Sequence, residues 1–299
     1  MSRIKSFSVG NGDMFYIFHG SDNFSIIDCC ITEDEKEDIL DEVYSLKTQK
    51  GITRFISTHP DEDHILGLED LDEKINILNF YCVENEATKE DITEDFEKYC
   101  ELRDDNDKSF YIHESCSRYW MNDSNEERKS SGINILWPKT TNTHFKNELE
   151  KVKNGESPNN ISPIIKYSLN EGVSVIWMGD LENDFMDKIK DNLDLPEVDI
   201  LFAPHHGRKS GRVPSEMLDV MKPKIIVVGE ASSEDLEYYA NYNTITQNTT
   251  GDIMFDASSG ETDVFVSNEN YEADFLNQNN ISNYQDNYND LKYIGTLNH

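Results

Sequence analysis

Four potential metal ligands lie within six residues of one another: His59, Asp61, Asp63 and His64. They follow the apolar run Ile52–Ile56, which has the composition of a buried strand bounded by turn residues. Imidazole nitrogens and ionised carboxylate oxygens form the mixture of donors that divalent cations bind in proteins. The segment therefore predicts a metal-binding loop at the end of a strand, and the competing interpretation is a polar surface turn.

In two later segments, potential metal ligands again follow an apolar run within a few residues. Asp180 follows the run Val173–Met178, and the pair His205 and His206 follows the run Val198–Ala203. The adjacent Gly207 permits close approach of the backbone, whereas the competing interpretation of the pair is a polar strand end capped by one histidine.

A basic cluster comes directly after the histidine pair, in a chain that is otherwise very acidic. Its cations are Arg208, Lys209 and Arg212. Either arginine could hold a phosphate with two parallel hydrogen bonds, and the lysine could add a third donor. The cluster favours a phosphate-containing substrate, and the alternative is a set of cations paired with the acidic surface.

The composition limits the classes of function. The 299 residues carry a net charge of −32, from 27 basic and 59 acidic residues, which argues against tight nonspecific binding of nucleic acid. It does not exclude a nuclease with a locally positive site. Mean hydropathy is −0.67, and neither a membrane-spanning run nor a signal peptide is recognisable. The five scattered cysteines form no CxxC pair, so we expect reduced thiols, a cytoplasmic protein and no membrane association.

The pattern of the elements predicts an α/β protein. Short apolar runs form hairpins around Gly10–Gly12 and Asn170–Gly172, and apolar strands then alternate with amphipathic helices in both halves. This order favours a four-layer αββα sandwich, in which two mixed β-sheets lie face to face between helices. We expect a strand over Ile75–Tyr81 and a helix over Thr88–Arg103.

The same pattern predicts the organisation of the domain. Residues 1–267 form the body, and residues 84–132 form a helical insertion that covers the mouth of the site. Residues 268–299 form a C-terminal tail that is acidic and rich in asparagine, a composition that forms a core poorly.

Five ordered motifs together resemble the metallo-β-lactamase superfamily, and most closely the C-terminal hydrolase domain of the competence protein ComEC and its stand-alone relatives. The motifs are His59–His64, Gly179–Leu181, His205–Gly207, the "VGxGD" hairpin Val9–Asp13 and the "NNxS" strand entry Asn159–Ser162. The resemblance covers residues 3–267. It implies the αββα fold, a bacterial protein and a hydrolytic site with one or two divalent ions.

The resemblance also implies a role for each matching residue. The expected metal ligands are His59, Asp61, Asp63, His64, Asp180 and His205. In the family pattern the first two hold one metal, the next two serve the second, and the carboxylate of Asp180 can bridge both. The residues expected to support the ligands or to replace one of them are Asp28, Asn160 and His206.

This chain departs from the commoner pattern at two positions. Asp61 stands where the superfamily usually has histidine, and Asn160 or Ser162 occupies the region of the mid-chain histidine ligand. Oxygen ligands favour Mn²⁺ or Mg²⁺ relative to Zn²⁺. With the imidazole ligands included, the expected cofactor is one or two ions of Zn²⁺ or Mn²⁺, with Mg²⁺ as a further candidate.

The expected function is a metal-dependent phosphodiesterase or nuclease that acts on DNA, RNA or a nucleotide. Asp63 and His64 are the expected catalytic residues, with Asp63 orienting the attacking water and delivering a proton to the leaving group. The alternatives are a lactonase or thioesterase on the same fold, or a binding module whose site has decayed. A protein partner bound through the acidic surface and a homodimer are further expectations.

Overall fold

The computed structural model describes residues 1–230, 233–278 and 291–299. Their strands are, in chain order, β1 (Ser2–Ser6), β2 (Phe15–Phe18), β3 (Asn23–Ile27), β4 (Cys29–Cys30), β5 (Ile52–Ile56), β6 (Phe80–Cys82), β7 (Ser109–Tyr111), β8 (Ile133–Trp137), β9 (Ile164–Ser168), β10 (Ser174–Trp177), β11 (Ile200–Phe202), β12 (Ile225–Val228), β13 (Thr244–Thr246), β14 (Ile253–Ala257), β15 (Glu261–Val266) and β16 (Lys292–Asn298). The helices are α1 (Lys36–Lys47), α2 (Glu62–Ile65), α3 (Leu68–Ile75), α4 (Glu94–Asp104), α5 (Thr143–Lys153), α6 (Asn183–Ile189), α7 (Ser215–Met221), α8 (Ser233–Leu236) and α9 (Gln247–Thr250).

The strands form two mixed sheets. The larger sheet has the order β16-β15-β14-β1-β2-β3-β5-β6-β7 and is antiparallel as far as β3 and parallel beyond it. The smaller sheet has the order β13-β12-β11-β10-β9-β8, with β10 to β13 parallel and the remainder antiparallel. In each sheet the parallel half therefore brings several carboxyl ends of strands to one edge.

Aromatic side chains join the inner faces of the two sheets. The ring of Phe15 in β2 lies 4.9 Å from that of Phe202 in β11 and 6.1 Å from that of Trp177 in β10. Phe202 also contacts Phe255 of β14 at 6.3 Å. These rings are buried, so the core lies between the sheets and is stabilised chiefly by removal of apolar surface from water.

Helices cover the outer faces, as the sequence predicts. Helices α1, α3 and α4 pack together, and α4 also contacts β6 and β7 of the larger sheet. On the smaller sheet, Trp137 of β8 packs edge-on against Phe145 of α5 and Phe185 of α6. The predicted αββα architecture of two mixed sheets flanked by helices is confirmed.

Two predicted elements differ from the structure. Ile75 ends α3, and only Phe80–Cys82 is a strand, because Leu68, Leu71 and Ile75 form the buried face of a helix. The helix predicted from Thr88 begins only at Glu94, because the hydroxyl oxygen of Thr93 accepts a hydrogen bond from the amide of Phe96 and caps the helix there. Residues 84–132 also supply β7, the edge strand of the larger sheet.

The end of the chain joins the larger sheet as β16. Residues 279–290 of the predicted tail lie outside the described residues, whereas Lys292–Asn298 pairs with β15. Nδ1 of His299 lies 3.2 Å from Asp199, which directly precedes β11 of the smaller sheet. Within the described ranges, no helix has both the length and the apolar character needed to cross a bilayer.

Candidate metal centre

The polar loops of the sequence meet at the carboxyl ends of the parallel strands. Asp28 follows β3, the loop His59–His64 follows β5, Asp180 follows β10, and the pair His205–His206 follows β11. Asp13 enters from the opposite direction, since it precedes β2, which is antiparallel to β3. This convergence explains how residues far apart in sequence share one site.

Four residues form what we call the ligand cluster: Asp13, His64, Asp180 and His206. Each offers one ligand atom, and these atoms all lie within 4.8 Å of one another. His64 Nε2 is 3.1 Å from Asp180 Oδ1, and His206 Nε2 is 3.7 Å from Asp180 Oδ2. The separations and the donor types suit a divalent cation held between imidazole nitrogens and carboxylate oxygens.

The hydrogen bonding of the cluster supports this assignment. Nε2 of His64, Nε2 of His206 and Oδ1 of Asp180 are buried, and within the described residues none of them has a hydrogen-bond partner. The close approach of His64 to Asp180 lacks the geometry of a hydrogen bond. A buried polar atom without a partner costs about 1–3 kcal/mol, so three such atoms at one point are explained by a shared cation. The residues present therefore fit a metal ion.

Asp28 fixes the orientation of His64 from the side opposite the cluster. Its Oδ2 lies 2.9 Å from His64 Nδ1 and accepts a hydrogen bond of 2.7 Å from the hydroxyl of Thr58, while Oδ1 accepts one of 2.7 Å from the amide of Thr58. The carboxylate keeps the proton on Nδ1, and the lone pair of Nε2 is then free for a metal. Asp28 is fully buried and adopts a left-handed conformation with φ of 56°.

His59 is held by hydroxyl groups beside the cluster. Its Nδ1 lies 3.0 Å from Thr58 Oγ1 and 3.2 Å from Ser162 Oγ. Its buried Nε2 lies 4.0 Å from Asp180 Oδ2 and has no hydrogen-bond partner in the described part of the chain. His59 is therefore close to Asp180 but outside the tight cluster.

The histidine pair has a strained backbone. His205 and His206 have φ values of 52° and 56°, a region that non-glycine residues rarely adopt, and each costs on the order of 1 kcal/mol or more. Both rings consequently reach the same oxygen, Asp180 Oδ2, at 3.6 Å and 3.7 Å from Nε2. His206 is buried in the cluster, and His205 is partly exposed with Nδ1 3.0 Å from Ser210 Oγ.

The charges of the centre are strongly coupled. Burial alone would lower the pKa of His64, but the carboxylates of Asp180 and Asp28 outweigh it and raise that pKa well above the usual value. Burial opposes the charge of His206 in the same way, yet facing carboxylates, with Asp13 foremost, raise its pKa to about 10. Burial and the charge of His64 lower the pKa of His59 well below its usual value. Without a metal, protons on two imidazoles balance the carboxylates, so metal binding must displace them.

Asp63 lies at the mouth of the cluster. Its Oδ2 is 3.4 Å from His206 Nε2, its Oδ1 is 4.0 Å from His64 Nε2, and the side chain remains 31% exposed. Burial tends to raise its pKa, but the close contact with His206 and the charge of His64 lower it overall. Asp63 is therefore ionised at neutral pH and accessible to a substrate.

Several predicted residues lie apart from the ligand cluster. Asp61 points to the ammonium group of Lys89, at 3.2 Å. Asn160 exchanges hydrogen bonds with Glu182, donating to its carboxylate at 2.8 Å and accepting from its amide at 3.1 Å. These contacts tie both side chains to neighbours other than the cluster.

The three basic residues divide into two groups. The guanidinium of Arg212 lies 3.6 Å from Asp235 and 5.0 Å above the ring of Tyr238. Arg208 is half-buried and Lys209 is exposed, directly after the histidine pair. Among the residues that the structure describes, neither of these two forms an ion pair within 4.0 Å, so both are available to a ligand.

The sequence did not nominate Asp13 as a ligand. Its signal in the sequence is the final residue of the "VGxGD" hairpin. The hairpin is attached to the metal loop because the amide of Asp13 donates to the carbonyl of Asp63 at 3.1 Å. Asp13 Oδ1 also lies 3.3 Å from His206 Nδ1, a contact that joins the first loop of the chain to the last loop of the site.

The N-terminal part of the chain is similar to a known family. Residues 8–116 match the family model described as Metallo-beta-lactamase superfamily. No curated protein sequence matches the chain. Among solved structures, the chain is similar to the metallo-beta-lactamase fold protein YhfI from Bacillus subtilis, with 10% sequence identity, a TM-score of 0.47 and coverage of 82% of this chain and 96% of that one. The matched residues 8–116 contain the Asp13 hairpin and the loop His59–His64, so this part of the chain is similar to the metallo-β-lactamase superfamily.

Proposed function

We propose that this protein is a metal-dependent hydrolase of phosphodiesters. The superfamily consists in general of metal-dependent hydrolases, and the finer assignment rests on the site itself. The observation that carries the proposal is the convergence of buried ligand atoms from His64, Asp180 and His206 that have no hydrogen-bond partner among the described residues, with basic residues following His206 in the chain. The donor set suits Zn²⁺ or Mn²⁺, and Mg²⁺ is a weaker match because imidazole nitrogens contribute.

The residues of the chain divide the chemical work. A divalent ion held by the ligand cluster would supply the Lewis acid that polarises a phosphoryl oxygen and activates water. Asp63, ionised and partly exposed, is placed to orient the attacking water and then to carry a proton to the leaving oxygen. His64 acts as a ligand that Asp28 orients. We assign the catalytic roles to Asp63 and His64 on this basis.

The basic residues favour a phosphate over a neutral ester. Arg208 and Lys209 follow His206 directly, and a guanidinium can bind a phosphoryl group with two parallel hydrogen bonds. Arg212 contributes less to this proposal, since Asp235 and Tyr238 occupy its guanidinium. DNA, RNA and nucleotides are the candidate substrates, in keeping with the resemblance to the hydrolase domain of ComEC.

The cleft beside the metal loop gives little support to a lactonase or thioesterase. This cleft has a volume of about 580 Å³ and is bordered by charged side chains, among them Glu62, Lys89, Glu90, Asp91 and Glu156, and by four apolar residues, Pro60, Ala87, Val152 and Pro158. An acyl substrate with an apolar tail would need an apolar wall.

The test is hydrolysis by purified protein loaded with Mn²⁺ or with Zn²⁺. The phosphodiester substrates are bis-p-nitrophenyl phosphate, single-stranded DNA, RNA and a cyclic dinucleotide. A p-nitrophenyl ester and a lactone test the alternative, a lactonase or thioesterase. We expect turnover of at least one phosphodiester, and a loss of about 10²–10⁴-fold in kcat for Asp63→Asn, because the positioned acid–base group is removed.

Asp219→Asn is the matched control for Asp63→Asn, since Asp219 is an exposed aspartate on α7 and does not belong to the ligand cluster. It should leave kcat unchanged. Turnover of the ester or lactone alone would select the alternative hydrolase, and a protein that binds no metal would leave only the decayed binding module. Equal activity of Asp63→Asn and wild type would refute the role of Asp63.

Two properties of the whole chain complete the proposal. The described cysteines are all unpaired, which supports a reducing, cytoplasmic setting. The net charge of −32 supports a basic protein partner rather than a second acidic copy of this chain, and light scattering of the purified protein would decide whether a homodimer forms.

A further inference from the structure

One cation approaches the metal loop from outside the ligand cluster. The ammonium nitrogen of Lys89 lies 3.2 Å from Asp61 Oδ1 and 3.9 Å from Glu62 Oε2. Lys89 belongs to the segment before α4, and its ammonium also lies 5.3 Å from the centre of the Phe96 ring. This side chain is 20% exposed and therefore contributes a partly desolvated positive charge to the entrance of the site.

Asp61 has a structural role in this arrangement. It caps α2, since its Oδ1 accepts a hydrogen bond of 3.1 Å from the amide of Glu62. The same oxygen receives the ammonium of Lys89. The carboxylate is 41% exposed and does not belong to the cluster of atoms that lie within 4.8 Å of one another.

A second group of donors lies near Oδ2 of Asp180, the oxygen that His206 also approaches. His59 Nε2 lies 4.0 Å and His205 Nε2 lies 3.6 Å from Asp180 Oδ2. His59 Nε2 is buried and unpaired within the described residues, so it is available to a cation. This second position lacks a further carboxylate, which Asp61 could supply only by leaving Lys89.

We propose that Lys89 takes the place of a second divalent ion as the counter-charge of Asp61, so that the chain holds one ion tightly and a second one weakly. The inference rests on the proposed function, because it concerns the same metal centre. The tight ion belongs to the ligand cluster, and the weak position consists of His59, Asp180 and His205.

The size of the effect follows from the exposure of the ion pair. A partly exposed lysine–carboxylate pair contributes little, and its removal changes an affinity by about fivefold. Repulsion between the ammonium of Lys89 and the second divalent ion increases this change in affinity at low ionic strength. The repulsion weakens as the salt concentration increases. Removal of Lys89 should therefore tighten the second binding step without affecting the first.

The test is a titration of metal-free protein with Mn²⁺, followed by isothermal calorimetry and by elemental analysis after dialysis at fixed free Mn²⁺. We expect one tight ion in the wild type, and in Lys89→Gln a second ion that binds at least about fivefold more tightly than in the wild type. Lys89→Arg keeps the charge and should retain the weak second step. Asp61→Asn in the Lys89→Gln background should abolish the gain.

Lys98→Gln is the matched control. Lys98 has nearly the same exposure, at 19%, and pairs with Asp72 at 3.4 Å and Glu101 at 2.8 Å, away from the metal loop. The inference would be overturned if the wild type bound two ions equally tightly. It would also be overturned if Lys89→Gln and Lys98→Gln bound the second ion with equal affinity. Either outcome would leave the hydrolase proposal intact. A wild type that takes up no metal would overturn both.

Discussion

The buried carboxylate of Asp28 shows how single residues determine the chemistry of this centre. It is surrounded by hydrogen-bond donors, two from Thr58 and one from His64, and no solvent reaches it. Burial raises the pKa of Asp28, and the charge and hydrogen bonds of its neighbours counteract this effect only in part. Asp28 lies outside the ligand cluster, and its importance lies in the tautomer that it imposes on His64.

Replacement of Asp28 by asparagine should weaken metal binding. The amide group of the introduced asparagine would donate to Nδ1 of His64 and move the imidazole proton to Nε2, where it blocks the ligand lone pair. We expect a loss of about 10–100-fold in affinity for Mn²⁺ or Zn²⁺, measured by competition with a chelating dye.

The control for this change is Asp95→Asn. Asp95 accepts hydrogen bonds from the amides of Gly67 at 2.9 Å and Glu69 at 3.0 Å, close to the same loop, but contacts no imidazole in the described structure. Unchanged metal affinity in Asp28→Asn, or an equal loss in Asp95→Asn, would contradict the orienting role.

Protons and metal compete at His206, and this predicts opposite pH dependences for the two forms of the protein. The pKa of His206 is raised to about 10 in the folded state, above its value of about 6.5 in an unfolded chain. A raised pKa contributes stability that is complete below about pH 6.5 and is lost as the pH rises toward 10. The metal-free protein should lose roughly 2–3 kcal/mol of unfolding free energy between pH 7 and pH 9.

Urea denaturation in the presence of a chelator measures this loss, and His206→Gln should flatten the profile. The affinity of the protein for metal should instead rise as the pH increases, because protons leave the imidazoles when metal binds. Metal-free wild type whose stability stays level between pH 7 and pH 9 would contradict the protonated state of His206.

At the scale of elements, the hairpin between β1 and β2 positions one side of the site. The amide of Phe7 donates to the carbonyl of Met14 at 3.0 Å, and that of Asp13 donates to the carbonyl of Asp63 at 3.1 Å. Gly12 lies at this contact, where an added Cβ would meet Cys30 Sγ and approach the carbonyl oxygen of Asp63 to 2.7 Å. The glycine is required because the hairpin passes close to both the Cys30 side chain and the backbone of the metal loop.

Gly12→Ala should therefore separate the hairpin from the metal loop. We expect a loss of about 1–3 kcal/mol in unfolding free energy, as for overpacking in a core, together with weaker metal binding because Asp13 moves away from His206. Thermal denaturation with and without Mn²⁺ measures both effects. Gly10→Asn is the control, since Gly10 has φ of 78°, which asparagine tolerates, and no atom lies within 4 Å of its added Cβ. Equal metal affinity in Gly12→Ala and Gly10→Asn would contradict the prediction.

For the whole molecule, the sequence pattern of apolar runs and polar loops predicts the layers of the fold better than it predicts the side-chain contacts at the metal centre. The runs Ile52–Ile56 and Val173–Met178 end in polar loops, and this order alone leads to the sandwich and to its functional edge. The choice among His59, Asp61 and His206 as ligands depends on contacts between distant segments. Lys89 binds Asp61 across 28 positions of the chain, and no periodicity in the sequence encodes that pair.

The C-terminal strand illustrates a second limit of the sequence. The composition of residues 268–299 indicates a tail, yet Ile294 is buried in the core and Lys292–Asn298 forms an edge strand. A few buried positions within a polar segment suffice once a neighbouring strand supplies the hydrogen bonds, and composition averaged over the segment hides them.

Asp199 connects this strand to the opposite sheet. Its Oδ1 lies 2.9 Å from the ammonium of Lys224 and 3.2 Å from Nδ1 of His299, while Oδ2 accepts two hydrogen bonds from Ser174. Burial opposes its charge, but the hydrogen bonds from His299, Lys224 and Ser174 hold the pKa of Asp199 well below its usual range. A depressed pKa contributes stability that is present above about pH 4 and is lost as the pH falls through the folded-state value.

Asp199→Asn should release the end of β16 without unfolding the body of the protein. We expect faster hydrogen exchange at the amides of residues 292–298 and a loss of about 1–2 kcal/mol in unfolding free energy near pH 6, because hydrogen bonds to a charged acceptor are replaced by weaker ones. The difference between variant and wild type should shrink as the pH falls below about 4, because the unfolded wild-type chain takes up a proton at Asp199 while the folded carboxylate stays ionised. Glu197→Gln is the control, since Glu197 pairs with Lys222 on the exposed surface. Unchanged exchange in β16 would show that backbone pairing with β15 alone holds the strand.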